Sequence, residues 1–286
     1  MQVGQGYDSN SFYKGLLRSH IDSQLALWVL AKNKKLCNIC SSIISDENWG
    51  GKKSLVEAVE NSLGGVDLFA ALNKDELAKV ESRCRWRRFA PHQQIIDRES
   101  SSRDVFFVIS GKVRIVNYSF SGRGIILDEL EAGSYFGELS AIDSQPRSAR
   151  VISIADSLIG SLPQKYFLET LESHPKMALM VMEHLSKMLR GATQRIMDLS
   201  TLGANNRVHA DLLRQAGEIT DETKTAILDP VPIHNDIASR VSTTRETVAR
   251  VMNDLARRNI VEKKGNALII KDVQRLRDMV EEVRGE

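Results

Sequence analysis

Apolar positions change their spacing along this chain, and each change marks a different kind of element. Residues 1 to about 62 carry the weakest pattern. Glycines and serines punctuate a helix expected over 20–32, where Leu25, Leu27, Trp28 and Leu30 partly follow helical spacing. A second short helix is expected over 53–62, ending at Gly64 and Gly65, which suit a stop and a domain boundary. From about Cys84 to Leu162 the period shortens. Runs such as Val105-Phe106-Phe107-Val108-Ile109 and Val113-Arg114-Ile115-Val116 flank Ser110-Gly111, where a reversal is expected. Gly122, Gly124 and Gly133 punctuate Ile125-Ile126-Leu127 and Tyr135-Phe136. Strand-length runs separated by glycine turns predict a compact antiparallel sandwich or roll.

The next stretch is helical. Ala178, Met182, Leu185, Leu189, Ala192, Ile196 and Leu199 recur at alternating steps of four and three, the spacing of a heptad seam. A helix packed on its own domain would also carry an apolar stripe. A stripe this narrow, flanked by Glu183, Lys187, Arg190 and Arg195, fits a parallel two-helix dimer seam better. After about Asn205 helical spacing returns, broken by Asp229-Pro230-Val231-Pro232. Two short helices follow, then Gly265 and the alternating Ala267-Leu268-Ile269-Ile270. A helix-turn-helix followed by a small β-hairpin is a winged DNA reader in outline.

Composition narrows this picture only a little. The 286 residues suffice for two compact domains with connectors, and 42% hydrophobic with 27% charged residues is ordinary for a globular chain. A net charge of +2 neither requires nor excludes nucleic acid, because a basic face can be balanced elsewhere. No segment approaches the roughly 18 consecutive apolar residues of a membrane span. Met1 to Ser23 is polar, so no signal peptide is expected. Three cysteines, Cys37, Cys40 and Cys84, cannot make a disulfide framework, and a cytoplasmic setting is expected.

The densest chemistry lies in Phe136-Gly137-Glu138-Leu139-Ser140-Ala141-Ile142-Asp143-Ser144-Gln145-Pro146-Arg147-Ser148-Ala149-Arg150-Val151. A glycine opens a short helical turn whose N–H groups can face an anion, and an arginine follows that can grip a phosphate through paired hydrogen bonds. Glu138 beside a phosphate makes sense if it accepts from a hydroxyl, such as a ribose 2′-OH. Spacing alone equally allows a Glu138–Arg147 salt bridge that closes a loop.

The second constellation runs from His234 to Leu255. Ile237, Ala238 and Val241 on a first helix and Val248, Val251, Met252 and Leu255 on a second point to one core. Thr243 with Glu246 fits a capping box opening the second helix. Arg245, Glu246 and Arg250 then lie in its first two turns, the part of a recognition helix that enters the major groove. Arginine suits the O6 and N7 of guanine, and glutamate accepts from the cytosine amino group.

With both constellations in view, the chain resembles the Crp/Fnr family of transcription regulators, cyclic-AMP receptor protein type. Phe136-Gly137-Glu138-Leu139 followed by Pro146-Arg147-Ser148-Ala149-Arg150-Val151 is similar to that family's phosphate-binding cassette, and Thr244-Arg245-Glu246-Thr247-Val248-Ala249-Arg250 to its recognition helix. The resemblance implies an α+β chain. Residues 1–62 would be an extension of unknown role, 63–175 a cyclic-nucleotide-binding antiparallel β-roll, 176–203 a dimerisation helix, and 204–286 a winged helix-turn-helix domain. It implies backbone contacts to the ligand at Gly137 and Leu139, a ribose contact at Glu138, phosphate contacts at Arg147 and Ser148, and a purine contact at Thr193. Ala192 stands where relatives often carry a threonine. Ser148 in place of a threonine tilts the ligand towards cyclic AMP, with cyclic GMP the alternative. Arg245 and Arg250 would read guanines and Glu246 a cytosine of a TGTGA-like half-site, with Thr244 and Lys264 contacting DNA and Lys263 and Lys271 near the wing. The implied partners are double-stranded DNA, a second copy of the chain and RNA polymerase, with no membrane and a bacterial source.

Two rival readings follow from the residues. Cys37-x-x-Cys40 invites an iron–sulfur or zinc sensor, but such sites usually need four ligands and only Cys84 remains, so no metal is expected. An enzyme is not expected either. No metalloprotease, P-loop or serine-hydrolase motif is present, and the six histidines are scattered.

Overall fold

The computed structural model describes residues 62–119, 122, 124–216 and 224–284. The helix expected over 20–32, nearly all of the one expected over 53–62, and Cys37 and Cys40 lie outside the described residues. A short 3-10 turn at Asp67–Phe69 leads to helix α1, Lys74–Glu81. Asn73 caps α1 by accepting from the N–H groups of Asp75 and Glu76, while Glu76 accepts from the N–H of Asn73, which satisfies donors a helix start leaves open.

Eight strands build the roll: β1 (Arg85–Phe89), β2 (Gln94–Ile96), β3 (Val105–Ser110), β4 (Lys112–Tyr118), β5 (Gly124–Glu131), β6 (Tyr135–Phe136), β7 (Arg150–Ser153) and β8 (Ser157–Leu162). They form two antiparallel sheets ordered β1-β8-β3-β6 and β2-β7-β4-β5. Phe89, Ile96, Val108, Val113, Phe136, Val151 and Ile159 come from both sheets and form one buried cluster. Each such side chain contributes about 1.5–3 kcal/mol by leaving water. The expected reversal at Ser110-Gly111 is present, but β3 and β4 do not pair across it. The chain turns a corner between the sheets there. Gly111 has φ +88°, and a Cβ would lie 2.3 Å from the Asp156 carbonyl oxygen, so neither the backbone nor the space admits a side chain.

Helix α2 (Glu138–Asp143) interrupts the roll, and α3 (Gln164–Ser173) and the long α4 (Pro175–Thr201) follow it. A second cluster, including Phe107, Leu162, Phe167, Met177 and Val181, packs the start of α4 against the roll. Leu185 joins this cluster, so this seam position faces its own domain, and Ala178 is half-buried. Leu179, Met182, Leu189, Ile196 and Leu199 remain exposed along the rest of the helix.

The C-terminal part contains α5 (Ala204–Ala216), β9 (Ala226–Leu228), α6 (His234–Arg240), α7 (Arg245–Arg257), β10 (Val261–Lys264), β11 (Ala267–Ile270) and α8 (Val273–Arg284). The expected hairpin is a three-stranded sheet, β10-β11-β9, because β9 pairs with β11. All seven apolar residues assigned to the helix-turn-helix core are buried in one cluster. Arg214 bonds Asp198 at 2.6 Å and Arg240 bonds Asp211 at 3.1 Å, tying α4, α5 and α6 together. Among the described residues no helix is long and apolar enough to cross a membrane.

Candidate functional site

The turn from β6 into α2 brings the cassette together. Gly137 is the N-cap of α2 with φ +85°, and a Cβ there would lie 2.7 Å from Nη1 of Arg147 and 3.1 Å from the Asp104 carbonyl oxygen. The glycine therefore makes room for the arginine. Arg147 is 3% exposed. Its Nη1 donates to the Gly137 carbonyl at 2.8 Å, Nη2 to the Asp104 carbonyl at 2.6 Å, and Nε to Ser102 Oγ at 3.2 Å. A guanidinium carries five N–H donors, so these bonds fix the plane of the fork and leave donors for an anion.

Glu138 is the first residue of α2 and is 4% exposed. Burial pushes its carboxyl above the usual range, partly offset by its own backbone N–H and the charge of Arg147. No Glu138–Arg147 hydrogen bond forms; the guanidinium bonds Ser102 and the two carbonyls instead. The simple loop-closing salt bridge that spacing allowed is thus not what holds this turn.

Glu138 and Arg147 line a cavity of about 800 Å³, within the size range of small-molecule sites. Gly137, Leu139 and Ser148 line it as well, as do Ile125, Ile126 and Leu127 of β5 and Met188, Gly191 and Ala192 of α4. Thr193 does not. It is exposed on α4, and its hydroxyl donates to the Leu189 carbonyl at 3.0 Å. Within one chain, Ala192 rather than Thr193 faces the cavity. His184, a lone histidine between seam positions, carries no local signal in the sequence. It lines the cavity with its ring 4.9 Å from that of Tyr135, and burial lowers its pKa. Arg195, expected as a seam flank, donates instead to the Leu127 carbonyl of β5.

The second candidate surface is the start of α7. The cap is Thr244, whose hydroxyl oxygen accepts from the N–H of Thr247; Thr243, expected in that role, is 8% exposed and packed inward. Thr244, Arg245, Glu246 and Arg250 are all exposed. The backbone N–H of Glu246, the Thr244 hydroxyl and Arg245 hold the Glu246 carboxyl below the usual range, so it is an acceptor at neutral pH. Lys263 and Lys264 are exposed on β10, beside the wing turn at Gly265. Lys271 is engaged locally, with Nζ 2.5 Å from Glu262 and 2.9 Å from Asn259 Oδ1.

A buried arginine and carboxylate lining one cavity, a long helix bordering it and a helix-turn-helix with an exposed second helix are the parts that a ligand-responsive DNA-binding regulator requires. Comparison with known proteins agrees. Residues 86–174 match the model of the cyclic nucleotide-binding domain and residues 206–279 that of the Crp-like helix-turn-helix domain. The chain belongs to the Crp/Fnr family of transcription regulators. It is 26% identical over 198 residues to the cAMP-activated global transcriptional regulator Vfr of Pseudomonas aeruginosa, covering 68% of this chain and 92% of Vfr. It is 28% identical over 200 residues to the cyclic AMP receptor protein of Thermus thermophilus, covering 69% and 88%. Among solved structures, a CooA mutant from Carboxydothermus hydrogenoformans superposes with a TM-score of 0.65 at 24% identity, covering 75% of this chain and 96% of CooA. The c-di-GMP responsive regulator CLP of Xanthomonas campestris gives a TM-score of 0.56 at 19% identity, covering 66% and 94%. These structural likenesses concern the fold.

Proposed function

We propose that this protein is a cyclic-AMP-dependent dimeric regulator that binds a TGTGA-like palindromic DNA site. The observation that carries this reading is the burial of Glu138 and Arg147 in one cavity that α4 also lines. Arg147, its plane fixed by three acceptors, presents its remaining N–H donors to the cyclic phosphate, with the Ser148 hydroxyl beside it. Glu138 accepts from the ribose hydroxyl, which offsets the cost of burying a carboxylate. The cassette serine favours cyclic AMP over cyclic GMP, and the relatives are themselves described as cAMP-activated.

The exposed Leu189, Ile196 and Leu199 give α4 an apolar face for a second copy of the chain. In that dimer, Thr193, exposed on the same helix, contacts the purine in the partner's cavity. Nucleotide binding selects a dimer geometry in which the two α7 helices stand about 34–36 Å apart, one DNA turn. Arg245 and Arg250 then read guanines, Glu246 a cytosine, and Thr244 and Lys264 contact the backbone. RNA polymerase is the expected further partner of such a regulator in the cytoplasm. Cys84 does not favour a metal or redox signal: burial pushes its thiol up to about 12, so the thiolate that would bind a metal is scarce.

The test is calorimetric titration of the protein with cyclic AMP and cyclic GMP, repeated on Arg147→Ala. Tight cyclic AMP binding that the substitution abolishes supports the reading; equal affinity in both proteins overturns it.

A further inference from the structure

The DNA reader is attached to the nucleotide-binding roll by an ion pair whose arginine lies outside both constellations. Arg114 on β4 meets Asp236 in the first turn of α6 through a two-pronged ion pair, with Nη1 3.0 Å from Oδ1 and Nη2 2.5 Å from Oδ2. The same guanidinium holds Glu129 of β5, with Nε 2.9 Å and Nη2 2.6 Å from Oε1. Lys112 completes the cluster, its Nζ 3.1 Å from both Glu129 and Glu131. The side chains of Arg114 and Asp236 are 18% and 16% exposed, so this fork is largely withdrawn from water, where screening would make an ion pair weak. Burial opposes the charge on Glu129, but Arg114 and Lys112 outweigh it and hold its carboxyl below the usual range.

The location of Glu129 matters as much as its bonds. Strand β5 is a wall of the nucleotide cavity through Ile125, Ile126 and Leu127, and Arg195 of α4 bonds the Leu127 carbonyl. The strand is therefore held by the long helix at Leu127 and, through Arg114 of β4, tied to the reader at Glu129. We propose that the Arg114–Asp236 ion pair is a positioning contact that carries occupancy of the nucleotide cavity to the DNA reader. This rests on the proposed function and adds a route to it. The contact does not cover the reading face, since Arg245, Glu246 and Arg250 remain exposed while it is made. It works by setting the stance of α6, and with it α7, on a strand that the ligand touches.

The quantity to measure is the ratio of DNA dissociation constants without and with cyclic AMP, by anisotropy of a labelled palindromic duplex at fixed salt. Couplings of this kind usually give ratios of about 5–150. Arg114→Ala and Asp236→Ala should each bring the ratio towards one, and the double variant should fall no further than either alone, because both remove the same contact. Arg114→Lys keeps the charge but loses the fork, and should give an intermediate ratio; it also serves if the alanine variants fold poorly. Calorimetric titration of the variants with cyclic AMP should show the cavity still binding. A ratio in Arg114→Ala, Asp236→Ala and Arg114→Lys equal to that of the unsubstituted protein overturns the proposal while leaving the function intact. A ratio of one in the unsubstituted protein, with both cyclic AMP and cyclic GMP, overturns the function and this route with it.

Discussion

Arg147 is expected to hold the cassette together as well as bind phosphate, and Arg147→Ala separates this account from one in which it is only a ligand contact. Removing the guanidinium leaves the Gly137 and Asp104 carbonyls without their donor. A buried acceptor left unpaired costs about 1–3 kcal/mol, somewhat less where water can enter the hole. Ser102 is exposed and can turn to water, so its lost bond costs little. Glu138 also loses the cation that offsets its burial. Against these losses the substitution relieves the burial of the guanidinium, which lowers the Arg147 pKa, so the net is about 2 kcal/mol, a sizeable share of the roughly 5–15 kcal/mol that holds an ordinary domain folded. At about 2–4 °C per kcal/mol for a chain of this size, the ligand-free protein should melt about 4–8 °C lower. Differential scanning calorimetry without nucleotide measures this directly. Arg147→Lys should recover only part of the loss, because one ammonium cannot span three acceptors arranged around a planar fork. A ligand-free melting temperature for Arg147→Ala within about 2 °C of the unsubstituted protein would refute the reasoning.

Further predictions concern the neighbouring groups. Glu138→Gln should weaken cyclic AMP binding while leaving the ligand-free protein as stable or more so, read by calorimetry and thermal melting. Burial raises the folded pKa of Glu138, so the unsubstituted protein loses some stability as pH rises from the usual carboxylate value through the raised one; Glu138→Gln should flatten that slope. His209 is 5% exposed, and burial with the Arg258 charge lowers its pKa to about 4. It is buried neutral, so stability present above about pH 6.5 should be lost as pH falls towards 4, by up to about 3 kcal/mol, and a chemical-denaturation series across that range checks it. Gly137→Ala should displace Arg147 and impair both stability and nucleotide binding, visible in the same melts. Arg245→Ala should relax preference at one guanine by about 1–3 kcal/mol in competition binding; an equal loss on every sequence would make it a phosphate contact.

What could be read from the sequence followed the range over which each feature is written. The cassette spans sixteen consecutive residues, and the helix-turn-helix core is a periodic pattern on two adjacent helices, so local chemistry reveals both. The packing of the helix-turn-helix core agrees with the pattern residue by residue. Features that depend on partners far along the chain carry no such trace. Arg114 and Asp236 lie 122 positions apart, and each reads alone as a solvated charge. Strand β9 is three residues beside a proline and exists because β11 offers it an edge. The heptad seam is correct as spacing, but Leu185 is drawn into the core by the roll beneath it and Arg195 by a carbonyl on β5. Thr243 and Thr244 differ in role by one position, which a capping pattern cannot resolve when both residues are threonine.

The central claim is that one small ligand bound among Glu138, Arg147 and α4 turns on sequence-specific DNA binding by α7. Anisotropy of a labelled TGTGA-type palindromic duplex, at fixed salt with cyclic AMP, with cyclic GMP and with neither, tests it most directly. Tight binding with cyclic AMP and weak binding without nucleotide is the predicted result. Equally tight binding in all three conditions would contradict it.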